Sequence, residues 1–139
     1  MKPFLFSIGF IFILFSGFAQ TSRPQKTDTT VYTFAEVMPD FRHGKGGFQK
    51  YLVKSVKYPE AEKNAGKQGT VYISFIVEKN GSISNVHAVK EVPGAPGFTK
   101  ESIRVIQNMP RWSPAKVNGK PVRIEITQPI RFILDKAKK

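Results

Sequence analysis

Cysteine is absent from this sequence of 139 residues, and histidine occurs only twice. Without cysteine the chain has no disulfide bond, thiolate metal ligand or cysteine nucleophile. His43 and His87 each lack a second histidine or a pair of carboxylates at the spacing of a metal site. We therefore expect surface or packing roles for both histidines, no enzymatic activity, and no metal or other cofactor.

Long apolar runs are also scarce, and the most apolar segment, Phe4–Phe15, has twelve residues. It is shorter than the ~20 residues that a membrane-spanning helix needs. Small residues at Gly17 and Ala19 fit a signal-peptide cleavage site. We expect residues 1–19 to be a signal peptide, which gives an exported, periplasmic chain that begins at Gln20. The alternative is an uncleaved inner-membrane anchor with the domain facing the periplasm.

Acidic residues are few, with 10 Asp and Glu against 22 Lys and Arg, so the formal net charge is +12. Such a charge can indicate nucleic-acid binding. Export and the lack of an aromatic series for base stacking argue against it, and we expect no nucleic-acid partner. Two interpretations stay open: the charge attracts anionic envelope surfaces, or it only keeps the protein soluble.

The mature chain divides into a linker and one domain. Residues 20–36 are mostly polar and predict a flexible linker, whereas residues 37–139 carry the helix and strand patterns of a folded domain. The first helix has apolar residues on one face, at Phe48, Tyr51, Leu52 and Val56. Tyr58-Pro59 ends it, because the residue before a proline avoids the helical conformation. A short turn of helix follows from Glu60 to Asn64.

Strict alternation of apolar residues from Val71 to Val77 predicts the first strand. Asn80-Gly81 is the favoured pair of a type I′ hairpin turn, and the strand that returns from it breaks the period of two near Ser84-Asn85, which predicts a bulge. The second helix spans apolar positions from Phe98 to Met109, with Thr99 as its expected N-cap.

The last strand has apolar residues at even positions from Val122 to Leu134, and Gln128 and Ile133 break this pattern. Pro129 has no N–H and restricts this strand to an edge or a bulge. The predicted fold is α+β: a three-stranded antiparallel sheet of order 2-1-3, packed by two helices, with the third strand at an edge. An extended peptide can add to such an edge; the alternative is an ordinary edge blunted by proline and arginine.

Six ordered blocks between Val37 and Leu134 together resemble the TonB C-terminal domain. They are Tyr58-Pro59, Gly69-Thr70-Val71 running into Phe75 and Val77, Asn80-Gly81-Ser82-Ile83, Met109-Pro110-Arg111-Trp112-Ser113-Pro114, Asn118-Gly119-Lys120-Pro121-Val122, and Pro129-Ile130-x-Phe132. We interpret Trp112 itself as an anchor in the core rather than a platform for a ligand.

The resemblance implies a periplasmic domain that transmits inner-membrane energy to TonB-dependent outer-membrane receptors, without catalysis and without a cofactor. The short N-terminal box of the receptor is expected to add as a strand to the last strand, and the segment before Tyr58-Pro59 is expected to contact it. The implied binding residues are Ser55, Val56, Lys57, Tyr58, Ile124, Glu125, Ile126, Thr127, Gln128, Ile130 and Arg131.

Three features depart from a usual energy transducer. The N-terminal segment is expected to be cleaved, and the polar spacer Gln20–Thr33 reaches at most ~50 Å. Pro129 also removes one main-chain donor from the strand that is expected to receive the box. Inner-membrane motor proteins are therefore expected partners only if the N-terminus stays uncleaved. The alternative function is a free periplasmic domain that binds the cell wall or another envelope protein without energy transduction. A homodimer through the exposed edge is a further partner that the sequence allows.

Overall fold

The structure is a computed structural model that describes residues 29–42, 44 and 46–135. The predicted signal peptide, residues 20–28 of the predicted linker, and His43 lie outside the described residues. No helix in the described ranges is long and apolar enough to cross a membrane.

The described chain has five strands and three helices. The strands are β1 (Val31–Tyr32), β2 (Gly69–Val77), β3 (Ile83–Lys90), β4 (Ala115–Val117) and β5 (Lys120–Phe132). The helices are α1 (Gly47–Ser55), α2 (Glu60–Asn64) and α3 (Pro96–Gln107). The predicted helices and long strands are thus confirmed. The expected N-cap Thr99 is wrong, because α3 begins earlier, with Pro96 in its first turn.

The sheet has the order β1-β5-β2-β3, and β4 pairs with the start of β5. The antiparallel neighbours β3, β2 and β5 confirm the predicted 2-1-3 arrangement. The prediction of three strands and two helices is too low, because the described residues form five strands and three helices. Both missed strands flank β5: β1 runs parallel to it, and β4 forms a hairpin with it. The sheet is therefore mixed rather than purely antiparallel.

Apolar side chains from β2, β5 and α3 form the core. The fully buried ones include Val71, Ile73, Phe75 and Val77 of β2, Ile124 of β5, and Phe98, Val105 and Ile106 of α3. Helix α1 adds Leu52. The interpretation of Trp112 as a core anchor is confirmed, because its ring is 7% exposed and packs against Phe41, Phe48 and Phe75.

The two Asn-Gly pairs form different turns. At the β2–β3 connection only Gly81 has a positive φ, of 83°, and its N–H donates to the carbonyl of Glu78, so the predicted type I′ turn is wrong there. The pair Asn118-Gly119 has positive φ at both residues, which is the type I′ pattern, and joins β4 to β5. The predicted bulge is confirmed by the φ of 48° at Asn85 and by a register shift beside it.

Part of the predicted linker is folded. Val31 and Tyr32 belong to the sheet, and Ala35 is 2% exposed in the core. Backbone bonds then join Val37 to Lys116 and Asp40 to Ser113. We call residues 29–41 the N-terminal arm. Its apolar residues are too irregular in spacing to predict a strand from the sequence.

Candidate peptide-binding edge of the sheet

Strand β3 forms one edge of the sheet, and β5 forms the other edge beyond the two residue pairs that it makes with β1. The two strands differ in regularity. The pairing of β3 with β2 contains two register shifts, and Asn85 adopts a left-handed conformation within it. Irregularities of this kind blunt an edge against further strands. By contrast, β5 pairs with β2 without interruption from Ile124 to Phe132. The regular strand β5 is therefore the better template for an added strand.

Only the first part of the outer side of β5, which faces away from β2, is covered. There β1 pairs Val31 with Arg123 and Tyr32 with Ile124. Among the described residues, no strand pairs with the outer side of Glu125–Phe132. We call this stretch the open edge. It extends over about 26 Å of strand.

Two observations show which residues of the open edge direct their backbone groups outward. The N–H of Leu134 donates to Oε1 of Gln68, the residue that precedes β2, at 2.8 Å. Pro129 sits in the middle of an uninterrupted ladder, and a proline in a sheet places its nitrogen away from the neighbouring strand. Backbone groups alternate in direction along a strand, so even-numbered residues face β2 and odd-numbered residues face outward.

The open edge therefore offers the outward N–H groups of odd-numbered residues. The outward groups of Glu125 adjoin the end of β1. Beyond it, Thr127 and Arg131 provide a donor and an acceptor each, whereas Pro129 provides only its carbonyl. The side chains of Thr127 and Arg131 are exposed. An added strand would thus meet a nearly complete row of main-chain partners with one missing donor.

A groove of about 570 Å³ lies beside the open edge and joins it to α1. Its lining from the α1 side is Gln49, Leu52, Val53, Val56 and Tyr58, and its lining from the β5 side is Pro129, Ile130, Arg131, Phe132 and Ile133. Two of the apolar residues that line the groove are largely exposed, Val53 at 83% and Ile133 at 64%. The groove can accept apolar side chains from a strand bound at the open edge.

Four of the residues expected to bind a peptide meet in this groove: Val56, Tyr58, Ile130 and Arg131. Residues Gln49, Leu52, Val53, Pro129, Phe132 and Ile133 also line it, and none of them was among the expected ones. The sequence carried a signal for two of these. Val53 lies off the apolar face of α1, and Ile133 breaks the alternation of β5.

The other expected residues of β5 lie on the strand but not in the groove. Ile124 is fully buried and sits opposite Tyr32 of β1. The carboxylate of Glu125 accepts a hydrogen bond from the hydroxyl of Ser74 at 2.7 Å. Ile126 packs partly against the core, and Gln128 is half-buried. The side chains of these four residues are thus either bonded within the domain or at least partly buried.

Ser55 and Lys57 hold α1 against α3. The carbonyl of Ser55 accepts a hydrogen bond from Arg104 at 2.8 Å, and the N–H of Lys57 donates to Glu101 at 2.8 Å. Arg104 also pairs with Glu101 at 2.6 Å, and this bond is the largest cause of the lowered pKa of Glu101. The backbone of this segment is thus occupied by α3, which fixes the α1 wall of the groove.

Tyr58 is half-buried and forms the end of the groove. Its ring stands edge-on to Phe98 and Phe132, which stack on each other with centroids 4.2 Å apart. Its hydroxyl donates to the carbonyl of Lys67. Burial, and then the nearby Glu62 carboxylate, raise the pKa of Tyr58. Only the ring of Tyr58 therefore remains for contact with a ligand.

The described residues contain no group of three or more His, Asp or Glu side chains that could hold a metal ion. What the edge provides is main-chain hydrogen bonding beside an apolar groove. That combination is suited to binding an extended peptide.

Comparisons with known proteins give a family match and similarities to solved structures. Residues 54–134 match the family described as Gram-negative bacterial TonB protein C-terminal. The solution NMR structure of the Pseudomonas aeruginosa TonB CTD is similar at 24% identity and a TM-score of 0.49, over 60% of this chain and 82% of that chain. A solution structure of the Helicobacter pylori TonB-CTD is 18% identical with a TM-score of 0.46, over 63% and 78%.

No curated protein sequence matches the chain. The family match spans more than half of the sequence and includes α2, β2, β3, α3, β4 and β5. The chain therefore belongs to the Gram-negative bacterial TonB protein C-terminal family, a non-enzymatic transport-coupling domain of the Gram-negative periplasm.

Proposed function

We propose that the open edge of β5 binds the N-terminal box of a TonB-dependent outer-membrane receptor by strand addition, in energy-coupled transport across the outer membrane. The observation that carries this proposal is the uninterrupted β5 strand with its outer side open from Glu125 to Phe132, beside the groove of α1. Export by residues 1–19 would bring this edge into the periplasm, where such a receptor peptide is accessible.

Main-chain bonds are expected to supply most of the affinity. The outward groups of Thr127 and Arg131 pair with the peptide backbone, and the side chains on one face of the peptide enter the groove between Val53 and Ile133. Each main-chain bond contributes about 1 kcal/mol net. The peptide's sequence therefore matters mainly through the residues that point toward α1.

Thr127→Pro is expected to weaken binding of a receptor N-terminal peptide about tenfold, because the proline removes one outward donor. Its ring also fills the space that the peptide carbonyl would approach. The matched control is Thr127→Ala, which truncates the same exposed side chain, keeps the N–H, and should bind nearly as tightly as the unchanged protein. Isothermal titration of one peptide against all three proteins measures the effect.

The substitution leaves the pairing with β2 intact, since the backbone of residue 127 faces outward. Urea unfolding of each variant checks that the fold is retained. Equal affinities for Thr127→Pro and Thr127→Ala would place the peptide elsewhere. No binding to any of the three proteins would instead favour the alternative of a domain that binds the cell wall or another envelope protein.

A further inference from the structure

Strand β1 lies on the same side of β5 as the open edge and ends where the open edge begins. Tyr32 is opposite Ile124, and the next residue along β5 is Glu125. Any strand added at the open edge therefore meets β1 end to end. A peptide that reaches Arg123 would need the backbone positions that β1 occupies.

A side chain of β5 holds β1 in place. Arg123 donates from one guanidinium nitrogen to the carbonyl of Thr29 at 3.0 Å. Its Nε and its other terminal nitrogen bind the carboxylate of Glu78 at 2.7 Å and 3.1 Å. Arg123 is thus oriented by Glu78 and fixes the chain just before β1.

The strand pairing of β1 is nevertheless short. It comprises two residue pairs in a parallel arrangement, which is the less stable kind of strand pairing, and Tyr32 is only partly buried against the core. Val31 is 37% exposed, and Phe34, which follows β1, is 75% exposed. By comparison, β2 and β5 pair along nine residues. Short, exposed pairings open most readily in a native protein.

The rest of the N-terminal arm is held independently of β1. Ala35 and Phe41 are buried in the core. Val37 exchanges two backbone bonds with Lys116, and Asp40 exchanges two with Ser113. Residues 29–33 can therefore leave β5 while residues 35–41 stay in place, and the exposed Phe34 lies at the boundary.

We propose that β1 is a built-in occupant of the receptor-binding edge, which a sufficiently long receptor peptide displaces from Arg123 and Ile124. This inference rests on the proposed function. A short peptide fits on Glu125–Phe132 and leaves β1 paired. A longer one pairs with two more residues of β5 but must first expel β1, so the arm limits the gain in affinity from peptide length.

The test uses the full chain with the double substitution Val31→Pro and Tyr32→Pro. Backbone groups alternate in direction along β1, so one of these two N–H groups faces β5, and the double substitution removes it whichever residue carries it. The control, Val31→Ala with Tyr32→Ala, loses the same side chains and keeps both N–H groups. Two peptides from the N-terminus of one receptor are titrated, one of about six residues and one of about ten, since eight residues of strand span about 26 Å.

For the ten-residue peptide, the double-proline protein is expected to bind about tenfold more tightly than the double-alanine protein. For the six-residue peptide the two proteins should bind equally. Equal affinities for both peptides, or the same gain for both, would overturn the role of β1 while leaving receptor binding intact. If neither peptide binds any of these folded proteins, the role of β1 and the proposed function both fall.

Discussion

Gly81→Ala is expected to lower the free energy of unfolding by about 3 kcal/mol. Gly81 has a φ of 83°, in the region that costs other residues about 1–2 kcal/mol. A Cβ at this position would lie 1.8 Å from the carbonyl oxygen of Trp112. The backbone would have to move, and the hydrogen bond from the Trp112 N–H to the Gly81 carbonyl, at 2.9 Å, would be lost. This contact joins the β2–β3 turn to the segment before β4.

Gly119→Ala is the matched control for this substitution. Gly119 has a similar φ of 74°, but a Cβ there meets nothing within 4 Å. Only the conformational cost of about 1 kcal/mol should remain. Urea unfolding is expected to show a midpoint about 2 M lower for Gly81→Ala, at an m-value of about 1.5 kcal/mol/M, and a much smaller change for Gly119→Ala. Equal midpoints would show that the contact with Trp112 yields without cost.

Phe132→Ala is expected to destabilise the domain by about 3–4 kcal/mol. Phe132 is 1% exposed and stacks on Phe98 with an angle of 9° between the rings. Tyr58 stands edge-on to the same ring. Truncation would leave a cavity between β5 and α3 and remove the ring that supports the end of the groove. We expect both the urea midpoint and the peptide affinity to fall.

The neighbouring substitution Ile133→Ala separates these two effects. Ile133 is 64% exposed, so the free energy of unfolding should change by about 0.5 kcal/mol or less. It lines the groove, however, and its loss should weaken peptide binding modestly. A large loss of stability in Ile133→Ala, or none in Phe132→Ala, would contradict the packing described for this end of β5.

The long helices and strands could be predicted because the spacing of their apolar residues follows the repeat of a helix or of a strand. The four alternating apolar side chains from Val71 to Val77 are buried in the core, where Ser74 and Ile76 between them are buried as well. The helical spacing from Phe48 to Val56 matches the face of α1 that packs against the core. Strand β1 could not be predicted, because two residues carry no period and its partner lies far along the chain: Arg123 contacts Thr29 across 94 positions. Only the assembled fold brings them together.

The turns show a similar limit of local sequence. Both Asn80-Gly81 and Asn118-Gly119 are favoured type I′ pairs, but only the second forms that turn. The loop between β2 and β3 is longer, since Val77 pairs with Ile83, and there glycine alone takes the left-handed conformation. An Asn-Gly pair favours one turn type, but the number of residues between the paired strand ends determines which turn forms.

For the candidate site, the sequence predicted the strand but not the groove. The alternation of β5 and the position of Pro129 indicated an edge. The groove depends on how α1 docks, and this is set by contacts of Ser55 and Lys57 with α3. The structure places the Ser55 carbonyl and the Lys57 N–H in bonds within the domain, and the expected contact of these two residues with a partner stays a prediction.

Amide hydrogen exchange of β5, with and without a saturating receptor peptide, tests strand addition most directly. The amides of Ile126 and Gln128 face β2 and should be protected in both states. Those of Thr127 and Arg131 face outward, and their exchange should slow at least about tenfold when the peptide binds, because each acquires a main-chain acceptor. Unchanged exchange at Thr127 and Arg131 in the peptide-saturated protein would contradict binding at the open edge.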